Sequence, residues 1–188
     1  MRDLSLHLLD IIQNSLKADA NRIEIRIDAD LKRDRLTVQV IDNGSGMDER
    51  LLAQVTDPFV TTRTTRSVGL GIPLFSEAVT ITGGTFKIDS TPGVGTSLCA
   101  EFVLSSIDRL PIGDLADTFV GLVLSDPAIT YIIAFSAGEK RFDLDLDEVR
   151  QKLIDVPLND LNVLDWLQEL IREQQCIIFG GTLYEVSC

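Results

Sequence analysis

Apolar residues recur at two different periods along this 188-residue chain, and the switches between them predict its elements. Leu4, Leu8, Ile11, Ile12 and Leu16 are spaced for one face of a helix over residues 4–18. Ile23, Ile25 and Ile27 then alternate with polar positions, as do Leu36, Val38 and Val40. Residues 22–28 and 35–41 therefore read as half-buried strands, and the polar run 29–34 between them reads as a hairpin connection. A glycine-rich turn, Asp42-Asn43-Gly44-Ser45-Gly46-Met47, leads to a short helix near 48–55. Residues 57–68 are rich in Thr and Arg without an apolar period, which predicts a loop. Gly69-Leu70-Gly71 opens a helix to about 81, ended by Gly83-Gly84. Two more strands follow at about 85–90 and 96–104, joined by Thr91-Pro92-Gly93-Val94-Gly95.

The pattern restarts after residue 108. A helix is expected at 114–124, a hairpin from 129–135 and 141–146 around Ala137-Gly138-Glu139, and helices at 147–154 and 161–173. Trp166, with Leu164, Leu167 and Leu170, belongs to the last helix and is expected in the core. The stretch Ser105-Ser106-Ile107-Asp108-Arg109-Leu110-Pro111 is the best boundary, dividing the chain into residues 1–104 and a smaller α/β segment, 105–188. Strands joined mainly by hairpins, interleaved with helices, predict an antiparallel-rich sheet covered on one face.

Charge and cysteine content narrow the partners. The net charge is −12. Residues 1–104 carry 11 Lys and Arg against 14 Asp and Glu, and residues 105–188 carry 6 against 15. An acidic surface repels phosphate backbones, so nucleic acid is not an expected partner. The acidic second half reads as a solvated face or as the counterpart of a basic protein. Cys99, Cys176 and Cys188 are widely spaced and suggest reduced thiols. The longest apolar stretch, 119–135, is broken by Ser125, Asp126 and Pro127, so no membrane span is expected. The N-terminus lacks the apolar run of a signal peptide, and a cytoplasmic location is the default.

Candidate chemistry lies in four separated places. Asp10, Asn14 and Lys17 stand at i, i+4 and i+7, on one stripe of the first helix. An amide oxygen suits Mg²⁺, an ammonium answers phosphate charge, and a carboxylate can orient or deprotonate a nucleophile. The alternative is the solvent face of an amphipathic helix. Asp42 ends a strand just before Gly44 and Gly46, where a carboxylate can accept from an adenine amino group and glycines let backbone approach a base. Thr61, Thr62, Arg63 and Arg66 lead to Gly69-Leu70-Gly71, a set of hydroxyls, guanidinium groups and helix-start amides able to cap a triphosphate. Thr96 follows Gly93-Val94-Gly95 between the last two strands of the first segment. Neither a GxxxxGK[ST] loop nor a GxGxxG turn between strand and helix is present.

In order and interval these four elements resemble the N, G1, F/G2 and G3 boxes of the GHKL ATPase superfamily. It includes sensor histidine kinases, anti-sigma-factor kinases, DNA gyrase B, mismatch-repair ATPases and the heat-shock chaperone ATPase. The resemblance covers residues 1–104 and implies a Bergerat fold, an α/β sandwich with a mixed, mostly antiparallel sheet, binding ATP with Mg²⁺ under a lid. It implies Asn14 on Mg²⁺, Lys17 on phosphate and Asp42 on the adenine amino group. Gly44, Gly46, Met47 and Thr96 would complete the base pocket, and Thr62, Arg63, Gly69, Leu70 and Gly71 the lid and phosphate cradle. Asp10 falls where the hydrolases and anti-sigma kinases carry a general-base glutamate. The usual Gly-x-Gly-Leu-Gly stands here as Ser67-Val68-Gly69-Leu70-Gly71. His7, the chain's one histidine, lies in the N-box helix rather than on a separate phosphoacceptor helix, and reads as a local hydrogen-bonding residue. The expectation is a stand-alone ATP-dependent protein kinase acting on a partner phosphoacceptor. The alternatives are an ATPase driving an assembly cycle and a non-catalytic nucleotide sensor; a second copy of the chain is a further candidate partner.

Overall fold

The computed structural model describes residues 2–55, 71–180 and 183. Helix α1 (Leu4–Lys17) precedes strands β1 (Arg22–Asp30) and β2 (Arg35–Asp42), helices α2 (Glu49–Val55) and α3 (Gly71–Ile81), and strands β3 (Thr85–Thr91) and β4 (Gly95–Val103). Then come α4 (Leu115–Ser125), β5 (Thr130–Ala137), β6 (Lys140–Asp145), α5 (Leu146–Leu153) and α6 (Leu161–Phe179). The expected elements are all present. The last helix runs past its expected end at 173, because Gln175, Ile178 and Phe179 continue its buried face.

The strands form one six-stranded sheet, ordered β3-β4-β2-β1-β5-β6. Adjacent strands are antiparallel except β1 and β5, which run parallel, with Ile25 opposite Ile133. The alternation read from sequence sets the two faces. Ile23, Ile25 and Ile27 of β1, Leu36, Val38 and Val40 of β2, and Leu98, Ala100 and Phe102 of β4 are buried on one side. Arg26 and Gln39, opposite one another across β1 and β2, point to the other side. The helices fill the apolar side, α1 touching both α3 and α4, and α4 touching α6. Phe75 of α3 packs edge-on to Phe86 and Phe102, fixing α3 over β3 and β4. The result is an α/β sandwich with a mixed sheet.

Hydrogen bonds carry the chain from β4 back to the start of α1. The Ser105 N–H and hydroxyl donate to the Asp34 carboxylate at 2.8 and 2.7 Å. The N–H groups of Leu4 and Ser5 donate to the carbonyls of Pro111 and Ile112, both at 2.9 Å. Asp3 caps the same helix end by accepting from the Leu6 N–H at 3.0 Å. Three first-turn donors of α1 thus have partners, two supplied by residues more than a hundred positions away.

Two expectations are corrected. Trp166 is 47% exposed, while Leu164 and Leu167 of the same helix are buried. Helical spacing identifies an apolar face but not its limits, and Trp166 lies beyond the edge of this one. Cys176 is disulfide-bonded, so the three cysteines are not all reduced thiols; Cys99 is free, its thiol pushed up by burial. Separation along the chain does not bound separation in space. Among the described residues no helix is long and apolar enough to cross a membrane.

Tyr131 gives a test of the core. Its ring is fully buried on β5, its hydroxyl has no hydrogen-bond partner among the described residues, and burial pushes its pKa up to about 12. The unfolded chain releases that proton near pH 10 and the folded chain holds it longer. Stability therefore falls as pH rises through that window. Tyr131→Phe should abolish this component of the alkaline loss and raise stability at neutral pH by about 1 kcal/mol, since an unsatisfied buried hydroxyl is removed. Urea unfolding of both proteins across the alkaline range measures it; a variant less stable than wild type at every pH contradicts it.

Candidate functional site

Along α1, Leu8, Ile11, Ile12 and Ser15 face the core, which leaves Asn14 and Lys17 at the edge of the buried stripe. That edge forms one wall of a cavity of about 450 Å³. The opposite walls are the end of β2 with the turn after it, helix α2, and the facing side of β3 and β4. Of the residues singled out from sequence, Asn14, Lys17, Asp42, Gly46, Met47 and Thr96 all line this space. They come from α1, the β2 end, the turn and β4. Gly44 lies just behind the lining, where a Cβ would come within 2.7 Å of the Ala18 carbonyl oxygen.

Asp42 is the most constrained of these side chains. One carboxylate oxygen accepts from the N–H of Gly44 at 2.9 Å and of Thr96 at 3.2 Å. The other accepts from the Ser15 hydroxyl at 2.7 Å. An ionised carboxylate offers about four lone-pair sites, and three are engaged. A ligand that meets this carboxylate from the cavity must itself donate a hydrogen bond.

The turn after β2 is stitched to its neighbours at each end. Asn43 accepts from the N–H groups of Asn21 and Arg22, both at 3.0 Å, and the Ser45 N–H donates to the Ala18 carbonyl at 2.7 Å. The Met47 N–H donates to the Ser90 hydroxyl oxygen at 2.8 Å, and that hydroxyl also lies 2.9 Å from the Thr96 hydroxyl. Gly46 sits at φ +65°, and a Cβ there would fall 2.1 Å from the Thr91 carbonyl oxygen. Only glycine supplies both the left-handed backbone and the close approach. The turn is therefore held in place before any ligand arrives.

Asp10 stands apart from the cavity lining. It touches Gly71, the first residue of α3, so closely that a Cβ on Gly71 would lie 2.9 Å from the Asp10 Cβ. Its carboxylate thus sits at the N-terminal end of an 11-residue helix, where negative charge is favoured. Thr62, Arg63, Gly69 and Leu70 lie outside the described residues. His7 does not act as a local hydrogen-bonding residue through Nδ1, which has no partner among the described residues. Its ring is buried against Phe75 at 5.3 Å, and burial lowers its pKa.

Residues that sequence reasoning passed over complete the site. Ser15 orients Asp42, and Ser90 ties the turn to β3. Ile11, Leu51, Val55, Ile72, Ile88 and Leu98 supply apolar lining suited to a planar ring. Ser15 had a signal, a small hydroxyl in an otherwise apolar helical stripe. Ser90 had none, since a serine in a half-exposed strand is unremarkable.

Comparison with known proteins gives the family. Residues 2–106 match the family described as histidine kinase-, DNA gyrase B-, and HSP90-like ATPase. The sensor protein kinase FleS of Pseudomonas aeruginosa is 31% identical over 110 residues, 58% of this chain and 27% of FleS. The signal transduction histidine-protein kinase AtoS of Escherichia coli is 33% identical over 91 residues, 48% of this chain and 15% of AtoS. The chain thus spans less than a third of either relative. Among solved structures, the Aquifex aeolicus MutL ATPase domain complexed with ADP superposes with a TM-score of 0.53 at 14% identity. It covers 84% of this chain and 70% of that one, a likeness of fold. That coverage is more than residues 2–106 provide, so the likeness takes in part of the C-terminal segment. With the family match covering more than half of the sequence, the chain belongs to the histidine kinase-, DNA gyrase B- and HSP90-like (GHKL) ATPases, and residues 2–106 are its ATP-binding domain.

Proposed function

We propose that the chain is a Mg-ATP-dependent phosphotransferase module acting on a partner protein, with the cavity beside α1 as its nucleotide site. The observation that carries the reading is the Asp42 carboxylate, held by three donors and facing the same cavity as Asn14 and Lys17. An acceptor fixed in this way suits the exocyclic amino group of adenine and disfavours a base presenting a carbonyl there. Met47 and the apolar lining sandwich the ring, and Thr96 closes one edge. Lys17, exposed at the rim, answers phosphate charge. Gly71, with Thr62, Arg63, Gly69 and Leu70, supplies the phosphate cradle and lid that the family resemblance implies.

Asn14 is the residue that would hold Mg²⁺. Among the described residues no three His, Cys, Asp or Glu side chains cluster as a metal site. One amide oxygen, completed by phosphate oxygens and water, is a ligand set that suits this hard cation. Bound there, Mg²⁺ would offset charge on the phosphates. Asp10, one turn before Asn14, is proposed as the general base that takes the proton from the attacking hydroxyl or imidazole. Its place beside Gly71, at the start of α3, is one where negative charge is favoured.

An ATPase cycle is the second reading, supported by the likeness to the MutL ATPase domain beyond the family segment. Both readings use the same pocket and differ in whether water or a partner side chain reaches the γ-phosphate. Incubation with γ-labelled ATP and a native lysate separates them: labelled partner bands support transfer, and free phosphate alone supports hydrolysis.

Three sets of variants test the site. By calorimetry, Asp42→Ala should weaken ATP binding at least about tenfold. Ser15→Ala keeps the acceptor but frees it to turn, and should cost about 0.5–1.5 kcal/mol of binding. Equal affinity for ATP in folded Asp42→Ala would remove the adenine assignment. Asn14→Ala should leave ATP binding nearly independent of added Mg²⁺; a wild-type rise in affinity with Mg²⁺ would contradict its role. Asp10→Asn should bind ATP as well as wild type or better, because a negative charge near the phosphates is lost. Its phosphate transfer or release should fall by about 10²–10⁴-fold. Full activity in this variant would end the catalytic assignment, and a wild type inactive with every partner would favour a nucleotide sensor.

A further inference from the structure

Helix α6 buries Val163, Leu164, Leu167, Ile171 and Ile178 against the sheet and α4, yet leaves Trp166 half in water. A lone exposed apolar side chain is ordinary. This one is not isolated, because its indole walls a groove of about 440 Å³ at the end of β6, between α5 and α6. Leu144, Val149 and Leu153 give the groove apolar lining, and Asp143, Asp145 and Glu148 bring carboxylates to it. Lys152 is the one cation among the described lining residues, and it stands 3.8 Å from Glu148. Asp145 is partly engaged as the cap of α5, accepting from the Asp147 N–H at 2.8 Å. Asp143 and Glu148 remain exposed, in a segment of 6 basic and 15 acidic residues.

Apolar lining, one face of an indole and carboxylates at the rim make a consistent set. They suit a side chain with a long aliphatic stem and a cationic head, the stem lying on Leu153 and Val149 and the head between the indole and the acids. The groove is roomy enough for more than one side chain. We propose that this groove docks a basic, aliphatic segment of a partner protein, with an arginine or lysine stacked on Trp166. The inference does not depend on the phosphotransfer reading, since the groove lies wholly outside residues 2–106.

Among the described residues, a second copy of the chain offers similar chemistry in the turn between β1 and β2. That turn exposes Leu31, Lys32 and Arg33, with the Arg33 side chain 84% exposed. Two chains of net charge −12 repel each other, however, and that favours a different, positively charged protein.

Trp166 is the only tryptophan in the chain, so its emission reports on the groove directly. The test titrates the full chain with a synthetic peptide of alternating leucine and arginine, following emission, with calorimetry in parallel. A saturable change is expected, weakened at least about fivefold by Asp143→Asn with Glu148→Gln and by added salt, and independent of ATP. Trp166→Ala should lose the calorimetric signal while keeping ATP affinity, which shows that it folds. The distant pair Asp89→Asn with Asp108→Asn should bind the peptide as wild type does. No saturable change, or an equal loss from the distant pair, would overturn the proposal, the latter by showing diffuse charge attraction. A dimer of the peptide-free chain that dissociates on Lys32→Glu with Arg33→Glu would assign the groove to a second copy instead.

Discussion

The proposed nucleotide site depends on one carboxylate being held still. Asp42 takes a hydroxyl from α1, an N–H from its own turn and an N–H from β4, so three parts of the chain must meet before its orientation is defined. Hydrogen bonds to an ionised acceptor are stronger than neutral ones, and leaving such a group half satisfied while partly buried is costly. The turn 42–47, the end of α1 and the β3–β4 connection are thereby locked to one another. The cavity is formed by that locking, with backbone packed so closely at Gly46 and Gly95 that a Cβ on either would collide with the Thr91 or the Asp42 carbonyl oxygen.

Helix α1 serves two purposes with one sequence. Its buried stripe anchors it to the sheet, and the edge of that stripe presents Asn14 and Lys17 to the cavity. Ser15 sits between, buried enough to be fixed and polar enough to orient Asp42. Asp10 is reached by another route, the close approach of α3 through Gly71. That approach links the start of α3 to the carboxylate proposed for chemistry.

Residues 105–188 are tied to the ATP-binding domain through backbone as well as side chains. β5 lies parallel beside β1, and the segment before α4 supplies carbonyls to the first turn of α1. Beyond that junction the surface changes character. The half that binds the anionic nucleotide is nearly balanced in charge, whereas the other half carries most of the chain's negative charge and its exposed tryptophan. An acidic surface next to an aromatic groove, held off the ATP-binding domain, would separate the handling of nucleotide from that of the basic partner proposed above.

The sequence by itself determined the elements and the residue types of the site. Period-two runs in β1 and β2 report a sheet with one buried face, and Asp42-Asn43-Gly44-Ser45-Gly46 can follow such a strand only as a tight turn. Asn14 and Lys17 could be put on one stripe of α1 because their spacing is local, and Asp42 could be singled out because it ends a strand just before two glycines; that all three line one cavity with Thr96 is a tertiary fact. Tertiary structure decided the parallel seam between β1 and β5, the orientation of Asp42 by Ser15, the place of Ser90, the contact of Asp10 with Gly71 and the exposure of Trp166. Each is a meeting of residues far apart in the chain. Local periodicity records which face of an element is apolar, and carries no record of which neighbour will cover it or where the cover stops.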